Sequence, residues 1–108
     1  MNRHPRKQDL LDEFRQAGRC EWCRMLCPEG CDPAHVFPRG MAGGGLLDIR
    51  RNLVSLCRLC HSMNHWGREP TRYDLLAVAA AREGCLQRDI VADVWRLIRE
   101  STKGSVIS

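Results

Sequence analysis

Apolar residues recur along the chain with two different periods, and each change of period marks an element. Leu10, Leu11 and Phe14 fall at helical spacing, with Asp9, Asp12 and Glu13 on the early turns and Gly18 just beyond, which predicts a short helix over Gln8–Ala17. From Cys20 to Pro38 the pattern breaks, because Cys, Pro and Gly are too frequent for a helix. The run Ala34–Phe37, bounded by Pro33 and Pro38, reads as a strand with His35 and Phe37 on one face and Val36 on the other. The triple glycine Gly43–Gly45 places Arg39–Arg51 in a loop. Asn52–Leu56 alternates weakly and reads as the returning strand of a hairpin.

Helical periodicity then resumes. A short helix is expected from the Cys57/Cys60 region to about Trp66, with His61 and His65 four residues apart on one face. Thr71 followed by Asp74 is a capping box, Leu75, Leu76, Val78 and Ala79 form an apolar face, and Gly84 stands where a helix C-terminus wants a left-handed residue. Ile90, Val91, Val94, Leu97 and Ile98 predict a last helix over about Gln87–Glu100. The organisation expected is a basic, frayed tail at 1–7, a core at 8–70 that includes the first helix, a helical extension at 71–100 and a disordered tail at 101–108. The fold class is a small α+β domain stabilised by metal.

At 108 residues, one domain of this size buries a modest core and needs a staple. Seven cysteines can supply it. The opening residues contain no apolar run of signal-peptide type and no segment is long enough to span a bilayer, so a cytoplasmic protein with no membrane association is expected. In a reducing compartment, two C-x-x-C pairs argue for a thiolate-bound metal over disulfides. Cys20-x-x-Cys23 and Cys57-x-x-Cys60 together make a four-cysteine structural Zn²⁺ site that clamps both ends of the hairpin segment. Cys27 and Cys31 are either alternative upstream ligands or loop and core thiols. Cys85 reads as a free structural thiol, and Trp22 and Trp66 read as packing on the metal module.

The net charge of +4 is compatible with a polyanionic partner, and arginines crowd the central stretch. That stretch, AHVFPRGMAGGGLLDIRRNLVSLCRLCHSMNH at residues 34–65, orders a histidine, an asparagine and a second histidine: His35, Asn52 and His61. It resembles the HNH endonuclease motif of the ββα-metal (His-Me finger) superfamily. With Cys20-x-x-Cys23 upstream, residues 20–66 look like the zinc-bearing HNH proteins common in phage genomes.

The resemblance implies a ββα-metal core and a metal-dependent endonuclease that hydrolyses DNA phosphodiester bonds by nicking or double-strand cleavage. It implies that His35 is the general base and that Asn52 helps hold it in its working orientation. His61 would bind a catalytic divalent metal, Mg²⁺ or a transition metal such as Mn²⁺, Ni²⁺ or Zn²⁺, with His65 positioned as a second ligand. Arg39, Arg50 and Arg51 would meet DNA phosphates, and phage packaging proteins such as a terminase are the implied protein partners. Many HNH motifs carry Asp or His directly before the base histidine as a metal ligand, whereas here the residue is Ala34. Either water and phosphate complete the site, or Asp32 or Asp48 contributes, or the site is degenerate. The alternative function is therefore a zinc module that binds nucleic acid or a partner protein without cleaving.

Overall fold

The segment from Leu53 to Leu56 (β2) is buried at all four positions. In the computed structural model, which describes residues 4–38, 40 and 43–106 and side chains as far as residue 102, β2 pairs antiparallel with Asp32–His35 (β1). The register sets His35 opposite Leu53 and Ala34 opposite Val54. Four helices accompany this two-stranded sheet among the described residues: Gln8–Arg15 (α1), Arg58–His65 (α2), Arg72–Glu83 (α3) and Gln87–Val106 (α4). The architecture is a small α+β fold.

Alternation along β2 sends its side chains to two different cores. Leu53 joins Leu11 and Phe14 of α1, and the Ser55 hydroxyl donates to the Phe14 carbonyl at 2.7 Å. Val54 and Leu56 face the larger core with Ala34, Val36, Leu75, Leu76, Ala79, Ala80 and Ile90. The apolar stripe of α1 therefore covers the hairpin. Burying a Leu or Phe side chain is worth about 1.5–3 kcal/mol, so these two small cores depend on few residues.

The remaining edge of β2 is taken by the first cysteine turn. Glu21 N–H donates to the Ser55 carbonyl at 2.8 Å, and Ser55 N–H donates to the Glu21 carboxylate at 2.8 Å. Arg82 of α3 fastens the same carboxylate at 2.9 Å and lies over the Phe14 ring. This non-local pairing brings Cys20 and Cys23 beside Cys57, which directly follows β2.

Several boundaries differ from the sequence expectation for identifiable reasons. β1 starts two residues early, at Asp32, because an edge strand tolerates Pro33 without an N–H. It ends at His35 because the side chain of Asn52 takes over the pairing of Phe37. The first turn of β2 tightens into a 3₁₀ turn over Arg50–Asn52. In α3 the capping box of Thr71 and Asp74 forms in full, and Gly84 closes the helix at φ 67°.

The described parts of both expected tails make contacts with the fold. Residues His4–Lys7 are not frayed: Gly45 N–H donates to the His4 carbonyl at 2.7 Å, and Arg6 and the Lys7 N–H reach Asp48. At the other end α4 continues past Glu100 to Val106, and Ser101 lies 3.3 Å from the His4 ring. The two ends of the chain thus support each other through contacts 97 residues apart in sequence, which composition cannot reveal. Trp66 is also not a packing residue; it is 73% exposed.

Candidate functional site

The hairpin carries a cluster of side chains at each end. At one end the sulfur atoms of Cys20, Cys23, Cys57 and Cys60 all lie within 4.8 Å of one another. Each C-x-x-C segment folds into a turn that aims backbone amides at its first sulfur. The N–H groups of Trp22 and Cys23 both point to Cys20 Sγ at 3.4 Å, and Cys60 N–H points to Cys57 Sγ at 3.5 Å, capping α2. Arg24 adopts φ 68°, the left-handed conformation that closes the first turn.

Burial raises the Cys20 thiol, but the amides of Cys57, Cys23 and Trp22 outweigh it and bring its pKa down to about 7. Burial, and then the neighbouring sulfurs, push Cys60 up. One sulfur is thus ready to be a thiolate while its neighbour resists a second negative charge, a conflict that a divalent cation relieves. The donor set fits that role. Zn–S bonds of about 2.3 Å in a tetrahedron put sulfurs about 3.8 Å apart, and Cys23 Sγ and Cys57 Sγ are separated by 3.8 Å. Four cysteines so placed could hold a metal ion, consistent with structural zinc.

Cys27 and Cys31 are buried in the adjoining core and lie outside the four-sulfur group. The Cys31 thiol is pushed up to about 12, by burial first and by the Cys27 thiol second, as suits a packing residue. Cys85 is partly buried against the same core.

His35, at the other end of β1, and His61 and His65 from α2 line one cleft of about 680 Å³ with Val36, Pro38 and residues 71–73 at the start of α3. His35 Nε2 lies 2.7 Å from Asp48 Oδ1, and the Asp48 side chain is fully buried. Although burial alone would raise its pKa, hydrogen bonds from Arg6, His35 and the Lys7 amide bring Asp48 down to about 2. His61 Nδ1 lies 2.9 Å from Asp32 Oδ2, which Arg58 also approaches at 3.3 Å. His65 is exposed, with its ring edge-on to Trp66.

Asn52 does not line the cleft. It is wholly buried behind it, where its side-chain carbonyl accepts from Phe37 N–H at 2.9 Å and its amide donates to the carbonyls of Phe37 and Leu47 at 3.1 and 3.0 Å. It thereby ties the chain after His35 to the loop that carries Asp48. Ala34 is 1% exposed in the main core, so the position preceding His35 is given to packing.

Of the candidate phosphate contacts, Arg39 lies outside the described residues. Arg50 is bonded to Glu13 and stacks over Phe14, while Arg51 is bonded to Asp93 at 2.8 Å. Neither lines the histidine cleft; among the described residues the arginine that does is Arg72, which packs over Phe37.

Among the described residues the four cysteines are the one group of three or more His, Cys, Asp or Glu side chains drawn together tightly enough to hold an ion. Sequence reasoning missed the partnership of each cleft histidine with a carboxylate. The signals were present as Asp32 and Asp48, but nothing in their spacing says which histidine each one meets. Among the described residues no helix is long and apolar enough to cross a membrane. No family model, curated relative or solved structure matches the chain.

Proposed function

We propose that the protein is a metal-dependent endonuclease of the HNH (ββα-metal) class that hydrolyses DNA phosphodiester bonds, with zinc in the four-cysteine site as its structural ion. The observation that carries the reading is the convergence of His35, His61 and His65 on one open cleft, with His35 backed by a buried carboxylate. Hydrolysis of a phosphodiester needs an activated water, a cation to stabilise developing charge and a frame that holds both in line.

His35 is the group that takes the proton of the attacking water, a role suited to imidazole near neutral pH and worth about 10²–10⁴ in rate. Asn52 acts from behind, fixing the turn that follows His35. His61 and His65, one helical turn apart, are the side chains that would hold the divalent ion, with water and phosphate oxygens completing its shell. Asp32 on His61 Nδ1 orients that ring so that Nε2 is the donor atom. The ion would polarise the phosphate and stabilise the leaving oxygen. Arg72 at the cleft wall supplies positive charge for the DNA backbone.

Supercoiled plasmid incubated with the protein and Mg²⁺, Mn²⁺, Ni²⁺ or Zn²⁺ in turn should be nicked or cut, leaving 5′-phosphate ends. His35→Ala should reduce the rate by about 10² or more, with zinc content and DNA binding retained. Full cleavage by that variant would sink the assignment of the base. The buried, apolar position of Ala34 favours a second reading, a zinc module that binds nucleic acid without cutting it. Binding that weakens with salt, with no cleavage in any of the four ions, would establish it.

A further inference from the structure

We propose that Asp48 is a positioning residue that fixes the tautomer of His35, and that the N-terminal segment His4–Lys7 is part of the site because Arg6 holds Asp48 in that role. The inference rests on the reading of His35 as the base. It assigns function to a stretch whose composition is that of a tail.

Four donor atoms surround the Asp48 carboxylate. Asp48 Oδ2 receives Arg6 Nε at 2.6 Å and Lys7 N–H at 3.3 Å, while Oδ1 faces Arg6 Nη2 at 3.2 Å and His35 Nε2 at 2.7 Å. An ionised carboxylate only accepts, so the His35 Nε2 must carry a hydrogen. In the neutral ring the lone pair is then on Nδ1, so the basic nitrogen is the one turned away from Asp48. Without Asp48 neither tautomer is imposed from this side.

Arg6 matters for a separate reason. A fully buried carboxylate with His35 as its one cationic partner would draw a proton onto the ring and hold it there, and an imidazolium is no base. Arg6 supplies the balancing charge, so the ring can stay neutral while the carboxylate stays ionised. Among the described residues, Asp48 bonds the His35 ring, Arg6 and the Lys7 amide stand behind Asp48, and His61 and His65 of α2 and Arg72 of α3 line the same cleft. The segment is seated by a close backbone approach: a methyl group on Gly45 would stand 2.1 Å from the Pro5 carbonyl oxygen.

The two substitutions have opposite signatures. In Asp48→Asn the side-chain oxygen stays with the Arg6 Nε and Lys7 donors, which turns the amide NH₂ toward His35 and forces the lone pair onto Nε2. Nitrogen–proton correlation spectra of the histidine rings at neutral pH should show wild-type His35 protonated on Nε2 and the variant protonated on Nδ1. Plasmid cleavage should fall by about 10²–10⁴, as for a base held in the wrong tautomer, with zinc content unchanged. Arg6→Gln should keep the Nε2-protonated form and shift the acid limb of the rate profile upward by about one pH unit. Gly45→Ala, which dislodges the segment without altering any member of the network, should shift it the same way.

Wild-type His35 protonated on Nδ1 overturns the proposal, as does Asp48→Asn with unchanged tautomer and rate. If Asp48→Asn does not fold, the wild-type tautomer and the Arg6→Gln profile decide. A wild type that cleaves no DNA yet shows the tautomer exchange refutes the nuclease and leaves the positioning intact. Cleavage that is indifferent to Asp48 does the reverse.

Discussion

The two ends of the β1–β2 hairpin are held by opposite means. At the cysteine end, two tight turns each present two sulfurs within four residues of chain, and the amides that favour thiolate come from the same turns or from Cys57 next door. At the histidine end nothing is local. His35 leans on Asp48, Asp48 on Arg6, and His61 on Asp32, across 13, 42 and 29 residues. A metal-bound clasp tolerates changes around it as long as its ligands persist, whereas a hydrogen-bonded relay loses its geometry when any member is altered.

The largest expected effect comes from breaking the clasp. Apparent binding energies of structural zinc are about 10–16 kcal/mol at neutral pH, comparable to or larger than the roughly 5–15 kcal/mol that stabilises a domain. Chelation, or Cys60→Ser, should therefore unfold the protein as a whole, seen as loss of helical circular dichroism in step with metal release. A protein that stays folded without metal would show that the hairpin does not depend on the cysteine end.

Next in size is Asn52→Ala, which leaves Phe37 N–H and the Phe37 and Leu47 carbonyls without their partner. At about 1–3 kcal/mol for each buried group left unsatisfied, and with some relaxation, a loss of about 3 kcal/mol in urea denaturation is expected. Zinc content should not change, since the defect lies at the histidine end alone.

Acid should distinguish the ends in a defined order. The folded pKa of Asp48, about 2, lies below its ordinary value of 3.8. Its contribution of about 2 kcal/mol is therefore complete above pH 4 and is lost only as pH falls through about 2. Thiolate ligands protonate well above that range and release their metal. Acid unfolding should thus coincide with zinc release, and Asp48→Asn, which lacks that contribution at every pH, should raise the midpoint of both together. Unfolding that precedes zinc release in the wild type would show that the histidine end fails first.

The smallest effects belong to the surface arginines. Arg50 and Arg51 are each bonded to a carboxylate at partly exposed positions, where solvent screens the pair, so replacing either with Ala should leave the urea midpoint nearly unchanged. If Arg72 meets the DNA backbone, Arg72→Ala should reduce DNA affinity and flatten its salt dependence more than Arg51→Ala does, in binding titrations over a range of salt.

The sequence by itself determined whatever depends on residues a few positions apart. The spacing of the cysteine pairs sets two turns that each deliver two sulfurs, Thr71, Asp74 and Gly84 set both ends of α3, and the apolar stripe from Ile90 sets the buried face of α4. Their partners are reached through local backbone geometry, which composition and spacing encode. Only the tertiary structure decided which carboxylate each histidine meets, that Arg50 and Arg51 spend their charge on Glu13 and Asp93, and that a basic segment resembling a tail seats itself on Gly45 and Asp48. A charged side chain carries no mark of its partner along the chain. The choice is made when β2 buries both its faces, brings α1 onto one of them, and with it carries Arg6 to a carboxylate that cannot be buried alone.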